Sequence, residues 1–410
     1  MKTITTTAEL ADACTKCAKH PYVTVDTEFL RETTYWPKLC LIQMAVPDDA
    51  FLIDPMAEGL DLAPFFALMA DESVIKVFHA GRQDIEIIYH LGKLIPSPMF
   101  DTQVAAMVCG FGDSISYDQL VQRLTGNRID KSHRYTDWSR RPLTEKQLTY
   151  ALADVTHLRD VYHALSDNLK EQNRCEWVQE EMEILTSPDT YYTAPIDAWK
   201  RMKLRIRKPR EFVALKMLAA WRESEAQSRD VPRNRILKDE AIFELAVHQP
   251  QTPEALTALR SISKGYERSK TGQDLLQLMH EISEIPTTDL PEVPKGKNQP
   301  EGSGAAVDLM KVLLKLISEQ HGVAAKIIAT VDDLEKIACD DDAEVTAMKG
   351  WRREMFGQYA IKIKKGEIAL RLEGKRVGMI ECDPPVLQPQ SRNGKKSGKG
   401  RKEKQTEASA

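Results

Sequence analysis

Apolar positions along the first 170 residues alternate between two periods. Residues 7–19 carry them at helical spacing, and 22–29 then reads as a strand in which Val23, Thr24 and Val25 are β-branched. Short apolar runs predict strands at 39–46 and 50–54 and a helix near 60–70. Val74-Ile75-Lys76-Val77-Phe78 is a fourth strand running into a helix from 82 to 91, and 99–102 is a short fifth. Helices are expected near 102–110, 117–125 and 144–171. Strands first, then β–α alternation, predict a mixed sheet flanked by helices over residues 1–175.

From about residue 175 the pattern is helical and no strand is expected. Residues 207–285 form one helical unit, broken at Asp230-Val231-Pro232 and at Gln249-Pro250. Residues 286–304, with Pro291, Pro294, Pro300, Gly296, Gly302 and Gly304, read as a linker. Residues 305–380 form a second helical unit, and 384–410 a Gly/Lys-rich tail expected to be disordered.

Composition narrows the class. A hydrophobic content of 42% and a charged content of 29% describe an ordinary globular protein. No apolar run approaches the ~20 residues of a membrane span, and no secretory signal follows Met1. The expected place is the cytoplasm, and the expected state a monomer. Seven scattered cysteines fit a reducing compartment, and the Cys14/Cys17 pair has no second pair at zinc-ligand spacing. The net charge is −4, yet seven of the eleven residues from Lys200 to Arg210 are basic. Such a run is either a solvated helix face or a contact for a polyanion.

The candidate chemistry is carboxylate chemistry. Asp26 and Glu28 sit two residues apart on the first strand, so they share one face, roughly 6.5–7 Å apart. Asp84 falls in the first turns of the helix that follows His79-Ala80-Gly81, and Tyr150 and Asp154 form an i, i+4 pair on a long helix. Each cluster alone has an ordinary structural explanation: a solvated strand end, an acid at a helix N-terminus, a surface acid beneath a tyrosine. Four acids together would balance two divalent cations, and an all-oxygen donor set selects Mg²⁺ or Mn²⁺ over zinc.

The order D-x-E, then H-A-x-x-x-D, then Y-x-x-x-D resembles the three motifs of the DEDDy 3′-5′ exonucleases. Tyr35-Trp36-Pro37-Lys38-Leu39, Thr136-Asp137-Trp138 and Arg141-Pro142-Leu143 carry the resemblance to the ribonuclease D family. Leu218-Ala219-Ala220-Trp221-Arg222 with Asp230-Val231-Pro232 resembles an HRDC domain, and Gly350-Trp351-Arg352-Arg353-Glu354 a second, divergent HRDC-like unit. The resemblance implies an α/β ribonuclease H-like exonuclease domain followed by two all-α HRDC-like domains.

It also implies a metal-dependent 3′-5′ exoribonuclease that trims tRNA precursors and other small structured RNAs and releases 5′-monophosphates. Asp26 would bridge two cations, Glu28 and Asp154 would complete one site, and Asp84 would serve the other. Tyr150, whose ordinary pKa is near 10, would aim the attacking water rather than act as a base. Phe29, Gln43, His79, Lys131 and Trp138 are the candidate substrate contacts; Trp138 is equally a core residue by type. The same acids would serve a DNA 3′-5′ exonuclease, and a catalytically silent RNA-binding adaptor could keep them.

Overall fold

The computed structural model describes residues 3–130, 136–203, 205–294 and 303–383. Lys131 and the tail from 384 lie outside them.

The chain opens with α1 (Thr7–Cys17), whose N-cap Thr6 accepts a hydrogen bond from the amide of Glu9. It then enters β1 (Tyr22–Leu30), β2 (Lys38–Val46) and β3 (Asp49–Ile53). After α2 (Ala63–Ala70) come β4 (Ile75–Phe78), α3 (Arg82–Gly92), β5 (Met99–Asp101), α4 (Thr102–Val108) and α5 (Tyr117–Thr125). The sheet order is β3-β2-β1-β4-β5. Antiparallel pairing joins β1 to β2 and β2 to β3, whereas β1–β4 and β4–β5 are parallel. β1 is therefore central, and the Val23 and Val25 side chains are fully buried. The Thr24 hydroxyl donates to the carbonyls of Ala45 and Val155, tying β1 to the helix above it.

That helix is α6 (Glu145–Glu171), begun by a Thr144/Gln147 capping box and packed across the sheet. α7 (Cys175–Leu185) follows. Beyond it, α8 (Pro209–Arg229), α9 (Arg233–Ile236), α10 (Asp239–His248), α11 (Pro253–Thr257) and α12 (Lys270–Glu284) enclose a core of their own around Leu215, Leu218, Leu245 and Met279.

The C-terminal part, α13 (Ser303–His321), α14 (Ala325–Ile328), α15 (Val331–Cys339) and helical turns over 350–365, does not form a separate core. Its Met310, Leu313, Ile317 and Phe356 belong to the same hydrophobic core as the sheet. The Ala324 amide donates to the Met107 carbonyl at 2.8 Å, and Trp351 stacks on Trp177 of α7 at 4.4 Å. Gly110, at φ +83°, comes so close to the Gly322 carbonyl that a Cβ there would lie 2.6 Å from its oxygen.

One expectation is overturned: the C-terminal unit is not all helical. β6 (Ile368–Glu373) and β7 (Arg376–Glu381) pair as an antiparallel hairpin. Ile368, Leu370 and Leu372 do alternate, but only Ile368 is buried and charges interrupt the pattern, so the strand signal is weak. Among the described residues no helix is long and apolar enough to cross a membrane.

Candidate active site

β1 carries the first two acids to the edge of the core. Asp26 and Glu28 keep the strand alternation, and the β1–β2 register then shifts between Glu28 and Phe29. A bulge at that point bends the strand just past the acids. α6 supplies Asp154, and one carboxylate oxygen from each of Asp26, Glu28 and Asp154 lies within 4.8 Å of the others.

Asp84, in the first turn of α3, is 6% exposed and stands outside this trio. It accepts a hydrogen bond from the Thr27 hydroxyl. Burial pushes the Asp26 carboxyl well above its usual range, and the charge of Asp154 adds to this. Burial and then the Asp26 charge do the same for Asp84. Oxygen donors at this separation, in acids whose charges repel one another, fit a hard divalent cation.

The turn that starts α3 is held from outside the motifs. Asp101, at the end of β5, accepts from the amides of Ala80 (3.1 Å) and Gly81 (2.8 Å) while capping α4 through Gln103 and Val104. Ala80 is left-handed at φ +56°, and a Cβ on Gly81 would lie 2.5 Å from that of Phe78. The cap pattern Asp101-Thr102 is legible in the sequence; its second task at Ala80 and Gly81 is not.

Tyr150 is one turn before Asp154 and hydrogen-bonds to it. Burial first, then the charges of Asp154, Glu28 and Asp26, drive its hydroxyl far above the usual tyrosine value. The fully buried Ala151 lets α6 settle on the sheet. Behind Tyr150 lies Trp138, ring centroids 6.1 Å apart. Arg141 clamps this loop, bonding to Asp54 at 2.5 and 2.6 Å and to the carbonyls of Cys40 and Trp138.

Asp26, Tyr150 and Asp154 border a cavity of about 350 Å³ that is also lined by His79, Gln103, Ser116 and Tyr117. The Nδ1 atom of His79 is 2.9 Å from the Thr102 hydroxyl. Burial lowers the His79 pKa, so the ring is neutral. Tyr117, whose hydroxyl donates to the Ala153 carbonyl, had no signal in the sequence beyond its helix.

The other expected substrate contacts fare unevenly. Phe29 is half-buried and packs on the core. Gln43 lies directly opposite Asp26 on β2 and is 0% exposed. Trp138, 2% exposed, packs against Tyr150. His79 lines the cavity.

A family model described as a 3′-5′ exonuclease matches residues 1–170, and an HRDC domain model matches residues 211–279. Fold, acids and match together define a 3′-5′ exonuclease carrying an HRDC domain. The chain is 57% identical over 381 residues to Ribonuclease D of Nitrobacter hamburgensis, covering 93% of this chain and 100% of that protein. It is 51% identical to Ribonuclease D of Bartonella henselae, covering 92% and 93%. The crystal structure of Escherichia coli RNase D, titled an exoribonuclease involved in structured RNA processing, superposes with a TM-score of 0.79 at 29% identity, covering 88% of this chain and 98% of that one. The chain belongs to the ribonuclease D family and is a hydrolytic 3′-5′ exoribonuclease.

Proposed function

We propose that Asp26, Glu28, Asp84 and Asp154 hold two divalent cations, Mg²⁺ or Mn²⁺, and that Tyr150 positions the attacking water. The observation that carries this reading is the approach of three carboxylates within 4.8 Å, two of them, Asp26 and Asp154, at the wall of a cavity of about 350 Å³. When bound, such ions acidify a water and neutralise charge that builds on the phosphoryl oxygens. Asp84, held by Thr27, is the outlying ligand. Tyr150 stays protonated in this field of carboxylates, so it donates a hydrogen bond and is not the base. Neutral His79 and Tyr117 border the terminal nucleotide.

The substrates in this reading are 3′ ends of tRNA precursors and other small structured RNAs with single-stranded tails, cut to nucleoside 5′-monophosphates. The HRDC match over 211–279 and the Escherichia coli relative's role in structured RNA processing support it. Residues 1–175 would be the catalytic domain, 207–285 the HRDC domain and 305–380 a divergent HRDC-like unit, in a monomer working in the cytoplasm.

The test is a 5′-labelled RNA hairpin with a 3′ tail, incubated with Mg²⁺, with EDTA, and beside DNA of the same sequence. A ladder shortening from the 3′ end, lost in EDTA and weak on DNA, is expected. Asp154→Asn is expected to slow it by roughly 10²–10³-fold. Full activity in that variant would sink the metal assignment.

A further inference from the structure

A second cleft, of about 340 Å³, opens where the catalytic unit meets the helical unit of residues 209–284. Four arginines from four separate segments line it: Arg31 just past β1, Arg82 in the first turn of α3, Arg201 at the end of the 3₁₀ segment Pro195–Arg201, and Arg233 at the start of α9.

Two of them are spent on the protein. Arg31 makes a double hydrogen bond to Glu86 at 2.7 and 2.8 Å. Arg233 bonds to Glu223, whose side chain is 1% exposed, at 2.5 and 2.6 Å and lies over the Tyr35 ring. Arg82 and Arg201 are exposed and have no ion-pair partner among the described residues. Docking of the two units therefore uses Arg233 directly, while Arg82 and Arg201, whose charges reach Tyr191 and Glu223 only at longer range, line one polar cleft.

We infer that this cleft binds backbone phosphates of the RNA strand whose 3′ end occupies the carboxylate site, with Arg82 and Arg201 as the phosphate ligands. The inference rests on the nuclease reading and deepens it. Position supports it. Arg31 follows Glu28 by three residues, at most ~10 Å of chain, so the cleft begins within one or two nucleotides of the acids. On α3, Arg82 and Asp84 are ~200° apart around the helix, so that helix presents an acid to the reaction and a base to the cleft.

Chemistry supports it as well. Guanidinium groups present a planar fork of donors suited to phosphate oxygens. The basic run 200–210 thus divides its work. Arg201 enters the cleft, while Arg210 bonds to the carbonyls of Ile282 and Ile285, both at 2.8 Å, at the C-terminal end of α12.

The experiment is fluorescence anisotropy in EDTA with the full chain and a fluorescein-labelled single-stranded RNA of about 12 nucleotides, titrated across salt. The Arg82→Ala/Arg201→Ala variant is expected to bind roughly 10-fold more weakly. Its slope of log affinity against log salt should fall by about 1.4, two phosphates at ~0.7 each. Arg82→Lys/Arg201→Lys should keep the wild-type slope while losing part of the affinity, and circular-dichroism melting checks that both variants fold. Unchanged affinity and slope in the alanine variant overturn the cleft. Turnover of the labelled hairpin is scored separately. If the wild type binds as expected but never shortens RNA, the nuclease reading falls and the cleft stands; if it shortens RNA while the alanine variant binds normally, the reverse holds.

Discussion

Two helical parts dock on the sheet unit, and they dock by different physics. The C-terminal part shares its hydrophobic core, with Trp351 against Trp177 and Phe356 fully buried. The unit of residues 209–284 keeps its own core and touches the catalytic unit through a polar joint. There the Asp230 carboxylate accepts from the amides of Tyr35 and Trp36 at 3.1 and 2.9 Å, and Glu223, Arg233 and the Tyr35 hydroxyl close a network. An apolar joint loses stability steeply when parted, because its buried area is large and non-directional. A polar joint has less to lose, since water can replace its hydrogen bonds. The HRDC-containing unit is thus the part able to shift relative to the carboxylates.

The largest effect should come from cutting the apolar joint. Trp351→Ala is expected to cost about 3–5 kcal/mol, and chemical denaturation should show the catalytic unit unfolding earlier with it. A catalytic transition that stayed in place would mean the shared core is only contact. Arg233→Ala is expected to cost less, about 1–3 kcal/mol for leaving buried Glu223 without its guanidinium partner, and to bring forward only the transition of the 209–284 unit.

Acid should separate the two joints without any mutation. Burial alone would raise Glu223, but hydrogen bonds from Arg233 and Tyr35 outweigh it and hold the carboxyl below its usual value. A depressed acid stabilises the fold above its unfolded pKa, near 4.3, and that contribution is lost as pH falls through the folded value. At the apolar joint, burial raises the Glu181 carboxyl despite Arg352, so its contribution runs the other way and is lost as pH rises. Mild acidification should therefore release the polar joint first, read as increased hydrogen exchange at Tyr35 and Trp36 before any change around Trp351.

The smallest shift concerns the acids themselves. Asp26 is raised, so in metal-free protein its stabilising share is present at low pH and lost as pH climbs through the folded value. Asp26→Asn should raise the metal-free melting temperature by ~2–4 °C at neutral pH, within the transition shared by the sheet and the C-terminal part. The stabilisation that Mg²⁺ gives the wild type should vanish in the variant.

The chemistry of the site was more legible in the sequence than its support. Asp26 and Glu28 on one strand face, and Tyr150 and Asp154 one helical turn apart, follow from periodicities of two and 3.6, which are local. So do most elements through α6. The burial of Gln43 and Trp138 was not legible, because a polar or aromatic residue near a motif looks the same whether it faces the cavity or lies beneath it. Asp101, Tyr117 and the Asp54–Arg141 clamp act across 20 to 87 residues of chain, where no short-range pattern reports the contact. The division between a shared core and a polar joint was equally hidden. Met310 and Leu313 have the spacing of any amphipathic helix, whichever core they enter.

The shared core has a consequence for how the molecule is made. The sheet and α6 leave the ribosome well before the residues that complete their packing, since Met310 through Phe356 are synthesised after the whole 209–284 unit. Domains ordinarily fold as they emerge, yet this one completes its core only once residues 307–360 have followed the 209–284 unit. A chain abandoned by translation before residue 303 would carry every active-site acid but an unfinished body, fit for proteolysis rather than for cutting RNA.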